Sequence, residues 1–351
     1  MLHLLDQTPE HLRAWFTERG LPAFRAAQVR RWVFAKPGIE FDQMSDLARP
    51  LREQLAEAFC IWTTRVAARK KAADQTEKLL LELSDGQRIE CVLLRDDKGH
   101  QTVCISTQVG CAMGCVFCAS GLDGVVRSLT TGEIVEEMLR LKQLLPDGER
   151  LTHVVVMGMG EPLVNLDRLL PALEMATHRD GLGISARRVT ISTVGIPKGI
   201  RRLADLNCQY HLAVSLHAPD DDLRNRLVPT NRKIGIAAIL EAADYYFDKT
   251  GRRVTFEYVL LAGINDQPEH AARLVALLKG RPALVNLIPY NPVAGLPYRT
   301  PAPAASARFA GALEHAGITV ATRFRKGDRI DAACGQLRRS QPGAPDRGAD
   351  A

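Results

Sequence analysis

The chain has 351 residues, 46% of them hydrophobic and 25% charged, which is typical of a globular protein with one or two domains. It has no apolar run of 18 residues, which argues against a membrane span, and its first residues lack the basic and apolar regions of a signal peptide. We therefore expect a cytoplasmic protein without membrane contact, whose eight cysteines are reduced thiols or metal ligands rather than disulfides.

The net charge of +6 is concentrated near the two ends of the chain. Residues 1–72 hold 12 Lys and Arg against 8 Asp and Glu, and residues 323–339 hold 6 against 2. Uneven basic charge is typical of proteins with an anionic partner such as nucleic acid. A surface that is merely decorated with Lys and Arg would give the same counts, so charge alone leaves both interpretations open.

The first 72 residues are predicted to form a small helical accessory domain that contacts RNA. Its first helix begins after Thr8, which precedes a proline, and ends at Gly20. The second helix ends at Lys36-Pro37-Gly38, and Ser45 is predicted to cap the third. The arginines of this domain face RNA or, as is more common, only solvate its outer faces.

Residues 73–100 are predicted to be a short β extension, because the apolar period changes there from 3.6 to 2. Strands are expected at 78–83 and 88–94, separated by a turn at Ser84-Asp85-Gly86. Glu90 lies within the second strand. It is either an alternate residue that faces solvent, the usual case, or a carboxylate held near a catalytic site.

From residue 101 to 323, predicted strands alternate with predicted helices, which indicates parallel strands with helical crossovers. Strands are expected at 103–107, 152–157, 188–192, 210–216, 254–260, 284–288 and 318–323, and helices at 130–145, 166–178, 197–206, 220–249, 268–279 and 303–316. These units are too few for a closed eight-stranded barrel. The predicted fold is therefore α/β, a partial (β/α)6 barrel with functional groups at the carboxyl ends of its strands.

Three cysteines follow the first barrel strand with the spacing C-x3-C-x2-C: Cys111, Cys115 and Cys118. Such short spacings let one loop hold an iron–sulfur cluster, and three ligands leave one iron of a four-iron cluster open for chemistry. A structural zinc would need a second cysteine pair, which the sequence lacks, and inert buried thiols are the other alternative. With Phe117 before the last cysteine, the loop resembles the signature of radical S-adenosylmethionine (SAM) enzymes. This resemblance implies a [4Fe-4S] cluster and SAM.

A glycine turn, Gly158-Met-Gly160-Glu161-Pro162, follows the second barrel strand. A doubly wound SAM methyltransferase also has a G-x-G turn, but it follows the first strand. The observed order favours the radical class, in which a similar turn holds the SAM amino group. Glycines let a ligand approach the backbone, and Glu161 supplies a carboxylate for an ammonium.

Small polar groups end several predicted strands, namely Ser192, Ser215, His217 and Asn291. Hydroxyls and an imidazole can bind ribose or a carboxylate, and Asn291 can read an adenine. Each residue alone would more often cap a strand end. Together at one edge of a barrel, they favour a SAM site.

Five segments together resemble the RlmN/Cfr family of RNA adenine methyltransferases. They are QVGCAMGCVFCASGLDGVVRSLTTGEIVEEM, VVMGMGEPLVN, SLHAPDD, NLIPYNP and RKGDRIDAACGQL. The resemblance covers nearly the whole chain and is nearer to the C2-methylating branch than to the C8-methylating Cfr branch. It implies that Cys111, Cys115 and Cys118 hold the cluster. It implies a SAM site lined by Gly160, Glu161, Ser192, Ser215, Leu216, His217 and Asn291.

The same resemblance implies three catalytic residues. Cys334, in the C-terminal segment 324–351, carries the methyl group, Cys104 is its redox partner, and Glu90 accepts a proton either from C2 of the adenine or from Cys104. Two SAM molecules are used per methyl, because C2 of adenine is electron-poor and must be attacked by a carbon radical formed on methylated Cys334. Implied partners are 23S rRNA, tRNA and an electron donor such as flavodoxin, and a monomer is expected.

An iron–sulfur protein that only transfers electrons or binds RNA is the alternative from another class. Such a protein would have no use for Cys334 or for the Gly160-Glu161 turn. Beyond Cys334, the Pro- and Gly-rich tail SQPGAPDRGADA is expected to be disordered.

Overall fold

The computed structural model describes residues 1–36, 38–322, 327 and 330–337. The predicted disordered tail, 340–351, lies outside the described residues, as do eight of the 17 residues of the basic segment 323–339, including all six of its Lys and Arg. Within the described ranges, none of the helices combines the length and the apolar character needed to cross a bilayer.

The N-terminal segment contains three helices, α1 (Pro9–Thr17), α2 (Arg25–Ala35) and α3 (Arg49–Ala58), and a parallel pair of short strands, β1 (Leu2–His3) and β2 (Phe59–Cys60). The predicted cap of α1 is confirmed, because the Thr8 side chain accepts a hydrogen bond from the His11 amide. The predicted cap of α3 by Ser45 is wrong. That helix begins later, with Ala48 as its N-cap and Pro50 in its first turn, where proline is favoured.

The β extension has three antiparallel strands, β3 (Arg65–Lys71), β4 (Glu77–Glu82) and β5 (Arg88–Arg95). Strand β3 was assigned to the helical segment by sequence. It lies at the edge of the sheet and is almost entirely exposed, so it lacks the alternation of apolar residues that marks a strand. Strand β5 pairs in antiparallel fashion with β6 (Gln101–Cys104) and joins the extension to the main sheet.

The main sheet is a partial barrel. After β6 it contains β9 (His153–Val156), β10 (Val189–Thr193), β11 (His211–Ser215), β12 (Val254–Leu260), β13 (Ala283–Pro289) and β14 (Thr319–Thr322), while β7 (Gln108–Gly110) and β8 (Val125–Ser128) form a separate hairpin. These barrel strands are parallel, and their spatial order follows the chain. The sheet of ten strands remains open, which confirms the predicted α/β class and partial barrel.

Crossover helices connect these strands. They are α4 (Thr131–Lys142), α5 (Leu166–Thr177), α6 (Pro197–Asp205), α7 (Asp221–Leu227), α8 (Ile236–Thr250), α9 (Pro268–Leu278) and α10 (Pro303–His315). Helix α4 begins with a capping box, in which Thr130 and Glu133 each accept from the other's amide. The single helical region predicted at 220–249 is two helices, separated by a 3-10 turn at Pro229–Lys233.

A buried polar cluster joins the N-terminal segment to α4. The His3 ring lies 3.1 Å from the Glu136 carboxylate and 3.5 Å from that of Asp6. Glu136 also accepts from the backbone amides of Thr63 and Thr64. Because these groups are buried and mutually satisfied, they fix how the helical segment sits on the barrel.

Candidate active site

The cysteine loop is held by the β7–β8 hairpin at the carboxyl end of β6. The Cys111 amide donates to the carbonyl of Gly124 at 3.0 Å. Gly110 has φ +81°, and a Cβ there would lie 2.0 Å from the same carbonyl oxygen. Only glycine allows this approach, so the hairpin fixes where the loop starts.

All three cysteines of the loop line one cavity, which we call the first cavity. Its lining includes Cys111, Cys115, Cys118, Gly158, Gly160, Glu161, Ser192, Ser215, His217, Asn291 and Cys334. The structure therefore brings together the predicted cluster ligands and most of the predicted SAM residues. Leu216 is the exception, since it is fully buried behind the cavity wall.

The donor set of the first cavity suits a cluster better than a single metal ion. Among the described residues, no three His, Cys, Asp or Glu side chains are arranged to hold one ion. A zinc with Zn–S distances of about 2.3 Å would require the thiolates to converge on one point. A four-iron cluster instead binds each cysteine through a different iron. The zinc alternative is therefore disfavoured, and the loop fits a [4Fe-4S] cluster.

The glycine turn after β9 approaches the strands beside it very closely. A Cβ on Gly158 would lie 2.6 Å from Ser106 Oγ, and one on Gly160, where φ is +102°, would lie 2.7 Å from the Gln108 side chain. Gln108 Oε1 also accepts from the Glu161 amide at 2.9 Å. Gln108, a buried glutamine three residues before Cys111, was not predicted from the sequence as a site residue.

The Glu161 carboxylate is fixed in the first cavity by backbone donors. It accepts from the Leu163 amide at 3.1 Å and the Val194 amide at 2.9 Å. Burial raises the pKa of Glu161 above its ordinary value. A ligand ammonium would favour the charged carboxylate and offset that burial, so this position fits the amino group of SAM.

His217 presents a neutral imidazole to the first cavity. Its Nδ1 accepts from the Val259 amide at 3.1 Å, so the ring proton lies on Nε2. Burial, reinforced by the nearby Arg224, lowers the pKa of His217 to about 3. The Phe117 ring packs edge-on against it, with ring centroids 5.0 Å apart. At physiological pH the His217 ring is therefore neutral, and its Nε2–H can donate a hydrogen bond.

Arg224 is a buried residue that the sequence analysis missed. Its guanidinium donates to the carbonyls of Val194, Ser215 and Leu216 and to the side chain of Asn231. It thereby holds the carboxyl ends of β10 and β11 side by side. Its helix, α7, carries Arg224 among other polar residues, so nothing in the sequence distinguishes it from a solvated arginine.

Asn291 lies at the boundary of the first cavity. Its Nδ2 donates to the Cys334 carbonyl at 3.2 Å. Its Oδ1 is buried and accepts no hydrogen bond from any described residue. An unsatisfied buried acceptor costs about 1–3 kcal/mol. A ligand donor such as the adenine amino group would remove that cost, which is consistent with the predicted role of Asn291.

The C-terminal segment that carries Cys334 is fastened to the cysteine loop. The Ala119 amide donates to the Gly335 carbonyl at 2.8 Å, and Ser120 Oγ donates to the Leu337 carbonyl at 2.6 Å. Gln336 Nε2 donates to the Pro292 carbonyl at 2.9 Å. Cys334 remains exposed between these anchors, so its position is fixed while its sulfur is accessible.

Cys334 also lines a second cavity of about 580 Å³ on the inner face of the barrel. Its lining residues fall into two sets by strand position: Cys104, Met157 and Ile288, with Asn291 and Cys334, lie at or beyond the carboxyl ends of strands, whereas His153, Arg187, Arg188, Thr190 and His211 lie at the amino ends. Cys104 lies in β6 and is 8% exposed. The structure therefore places both predicted sulfur-chemistry residues in one cavity, and Cys334 in both cavities.

Glu90 is not among the residues that line either cavity in the described structure. It is buried in β5 and forms an ion pair with Lys78 at 2.9 Å. Lys78 Nζ also donates to the Asp331 carbonyl at 3.0 Å. Glu90 is therefore connected to the segment that carries Cys334 through one lysine, which the sequence analysis did not select.

Comparisons with known proteins agree with this geometry. Residues 105–275 match the family model of the radical SAM superfamily, and residues 2–61 match that of the ribosomal RNA large subunit methyltransferase N-terminal domain.

Two curated relatives are both named "Probable dual-specificity RNA methyltransferase RlmN". The chain is 59% identical to the one from Rhodopirellula baltica, over 97% of this chain and 91% of the relative. It is 47% identical to the one from Symbiobacterium thermophilum, over 94% and 89% respectively. A radical SAM methyltransferase structure from Sphaerobacter thermophilus superposes with a TM-score of 0.93 at 40% identity, covering 96% of this chain and 99% of that one.

Proposed function

This chain belongs to the RlmN family of radical SAM RNA methyltransferases, and from this membership we propose that it methylates C2 of a specific adenosine. The substrates we propose are 23S rRNA and tRNA, in the latter at the adenosine next to the anticodon. The observation that carries the proposal is the position of Cys334, which lines both the first and the second cavity. A methyl group on this sulfur would be accessible to the cofactor on one side and to RNA on the other.

Cys334 is the methyl acceptor in this proposal. A thiolate is a good nucleophile, and Cys334 is exposed and held by its neighbours, so it can take a methyl from a first SAM molecule. The cluster and a second SAM, when bound, supply the one-electron chemistry that removes a hydrogen atom from the S-methyl group. Electrons come from a donor such as flavodoxin, and the enzyme acts as a cytoplasmic monomer.

The residues of the first cavity position the second SAM molecule. Glu161 would accept from its amino group, His217 would donate through Nε2, and Asn291 Oδ1 would accept from its adenine. Arg224 acts through the strand ends that it holds together. These contacts would direct the reactive carbon of SAM toward Cys334 rather than toward solvent.

Cys104 releases the product in this proposal. Once the methylene carbon joins Cys334 Sγ to adenine C2, the Cys104 thiolate attacks Cys334 Sγ and forms a disulfide. The electron pair of the broken carbon–sulfur bond passes to the methylene carbon, which takes a proton and becomes the methyl product. Before that attack the adduct loses one electron, for which the cluster would be the acceptor when bound, and the C2 proton, which Glu90 accepts. The ion pair of Glu90 with Lys78 connects it to the Cys334 segment.

Methylation at C8 is the second candidate, because the sequence resemblance extends to the Cfr branch. The names of the relatives favour the C2 branch. The deciding experiment is anaerobic reaction of the reconstituted protein with 23S rRNA fragments, tRNA and labelled SAM, followed by mass spectrometry of the nucleosides. We expect 2-methyladenosine, whereas 8-methyladenosine as the main product would overturn the assignment.

A further inference from the structure

The second cavity reaches the end of the barrel opposite to the cluster. His153 and His211 are the first residues of β9 and β11, and Arg187 and Arg188 directly precede β10. Because the barrel strands are parallel, these residues share the amino-terminal edge of the sheet. All four line the second cavity, whose other end contains Cys104 and Cys334. One continuous space therefore joins this edge to the sulfur atoms.

Positive charge is concentrated at this edge of the barrel. Arg187 and Arg188 are exposed, and neither guanidinium forms a hydrogen bond or ion pair with another residue in the part of the chain that the structure describes. Arg252 and Arg253 directly precede β12 on the same edge. Arg252 donates to the His211 ring, and Arg253 donates to Thr319 Oγ1 at 3.5 Å. Among the described residues, none of these four arginines forms an ion pair with an acid.

The ionisable groups that face the arginines leave a net positive charge at this edge. Burial, with Arg252 close by, lowers the pKa of His211, so its ring is neutral and accepts from Arg252. Burial also lowers the pKa of His153. Asp96, a carboxylate in the cavity lining, lies 2.8 Å from the His100 ring; contacts with His100 lower its pKa to about 2, so it carries one negative charge. Arg95 is paired with Glu77 at 2.8 Å. Arg187, Arg188, Arg252 and Arg253 outnumber that one charge.

We propose that Arg187, Arg188 and Arg252 form a phosphate-binding rim for the RNA backbone beside the target adenosine, while the unpaired base enters the second cavity. This inference rests on the proposed RNA methyltransferase function. Planar guanidinium groups bind phosphate in a bidentate manner, and contacts to phosphate fix the register of a nucleic acid without reading its sequence. The rim would thus position the base by holding its flanking phosphates.

With this rim, the cofactor and the RNA would bind at opposite ends of the barrel. Cofactor groups lie at the carboxyl ends of the strands, as in other barrels of this kind. The RNA would approach from the amino-terminal edge, so that Cys334 meets the cofactor from one side and the base from the other. Basic residues at this edge are therefore positioning residues, since none of them touches the reacting atoms.

The test is RNA binding as a function of salt, measured by fluorescence anisotropy with a labelled hairpin RNA that has an unpaired adenosine in its loop. The cluster-containing double variant Arg187→Ala/Arg188→Ala is compared with the unmodified protein. Each lost phosphate contact to single-stranded RNA reduces the slope of log K against log salt by about 0.7. We expect the slope to fall by about 1.4 and the affinity at 0.1 M salt to fall roughly 10- to 30-fold.

A matched control removes the same charge from elsewhere on the barrel. Arg179 is 91% exposed in its side chain, and Arg308 is exposed on α10; neither lines the second cavity. Arg179→Ala/Arg308→Ala should leave the salt slope close to that of the unmodified protein. The conservative variant Arg187→Lys/Arg188→Lys should restore most of the slope, since it restores the charge.

The outcomes separate this inference from the proposed function. A salt slope in Arg187→Ala/Arg188→Ala equal to that of the unmodified protein would overturn the rim, even if methyladenosine is still formed. The rim would also be overturned if the variant bound RNA normally and only reduction of its cluster by the electron donor became slower. In that case the arginines would bind a protein rather than RNA. Absence of methyladenosine from the unmodified protein would overturn the proposed function, while its salt slope still tests the rim.

Discussion

The two cavities that meet at Cys334 recognise their ligands by different physical means. The first cavity uses fixed groups at strand ends: glycine backbone, the Glu161 carboxylate, a neutral imidazole and an unsatisfied amide oxygen. The second has few such groups and instead carries Arg187 and Arg188 at its far end, which have no acid partner in the described part of the chain. A small cofactor needs directional contacts, whereas a polyanion needs charge. The difference supports the proposal that the Cys334 sulfur serves two ligands that are bound mainly by different groups.

The largest effects should follow from damage to the first cavity. Cys115→Ala removes one of the three proposed cluster ligands, so the anaerobically reconstituted variant should lose the four-iron cluster and all activity. Iron and sulfide analysis with the visible absorption spectrum measures this. Cys208→Ala is the matched control, because Cys208 lies outside both cavities. Full iron content in Cys115→Ala would contradict the assignment.

Cys334→Ala should separate the cavities chemically. The variant should bind the cluster and SAM normally, because the first cavity keeps its directional groups, yet it should transfer no detectable methyl group. Mass spectrometry of the protein should show methylated Cys334 in the unmodified chain and none in the variant. Methyl transfer by Cys334→Ala at a normal rate would show that the Cys334 sulfur does not carry the methyl group.

A smaller effect is expected from Gly160→Ala. The new methyl group would meet the Gln108 side chain at 2.7 Å and would strain a backbone with φ +102°. We expect SAM affinity, measured by calorimetry, to fall about tenfold or more, with a stability cost of roughly 1–3 kcal/mol. Gly86→Ala is the control, since Gly86 has φ +78° but no atom within 4 Å. If both variants lose SAM affinity equally, the close approach at Gly160 is unimportant.

The smallest effect on chemistry should come from His3, which lies outside both cavities. Asp6 and Glu136 raise the pKa of His3 to about 9 against the opposing effect of burial. Its stabilisation is therefore complete below pH 6.5 and is lost as the pH rises through 9. The free energy of unfolding should fall by at most about 3 kcal/mol over this interval, relative to His3→Gln. Exposed His178→Gln is the control in the same denaturant titrations, and identical pH profiles for the unmodified protein and His3→Gln would refute this role.

Features with local causes could be predicted from the sequence. The cysteine spacing, the glycine turn and the capping box of α4 each depend on a few neighbouring residues. In the structure, the cysteine loop and the glycine turn line the first cavity, and the capping box is formed. The alternation of strands and helices likewise indicated the partial barrel. Ser45 failed as a cap because the following proline sets a later start for α3.

Features with distant causes could not be predicted. Strand β3 is exposed and exists because it pairs with β4. The sequence pattern predicts Arg224 to be a solvated helical residue, but the fold buries it against the ends of β10 and β11. The contact of Glu90 with Lys78, and of Lys78 with Asp331, joins segments that are far apart in the chain. The arginine rim likewise becomes visible only when the amino-terminal ends of parallel strands are seen together.

The claim that Cys334 carries carbon between two cavities is tested most directly with Cys104→Ala. Without the attacking thiolate, the reaction should start and then stall as a protein–RNA adduct joined through Cys334. A denaturing gel after anaerobic reaction should show this adduct as a slow band. The double variant Cys104→Ala/Cys334→Ala should show none. Normal turnover of Cys104→Ala with no trapped species would contradict the account and leave Cys104 without a role in release.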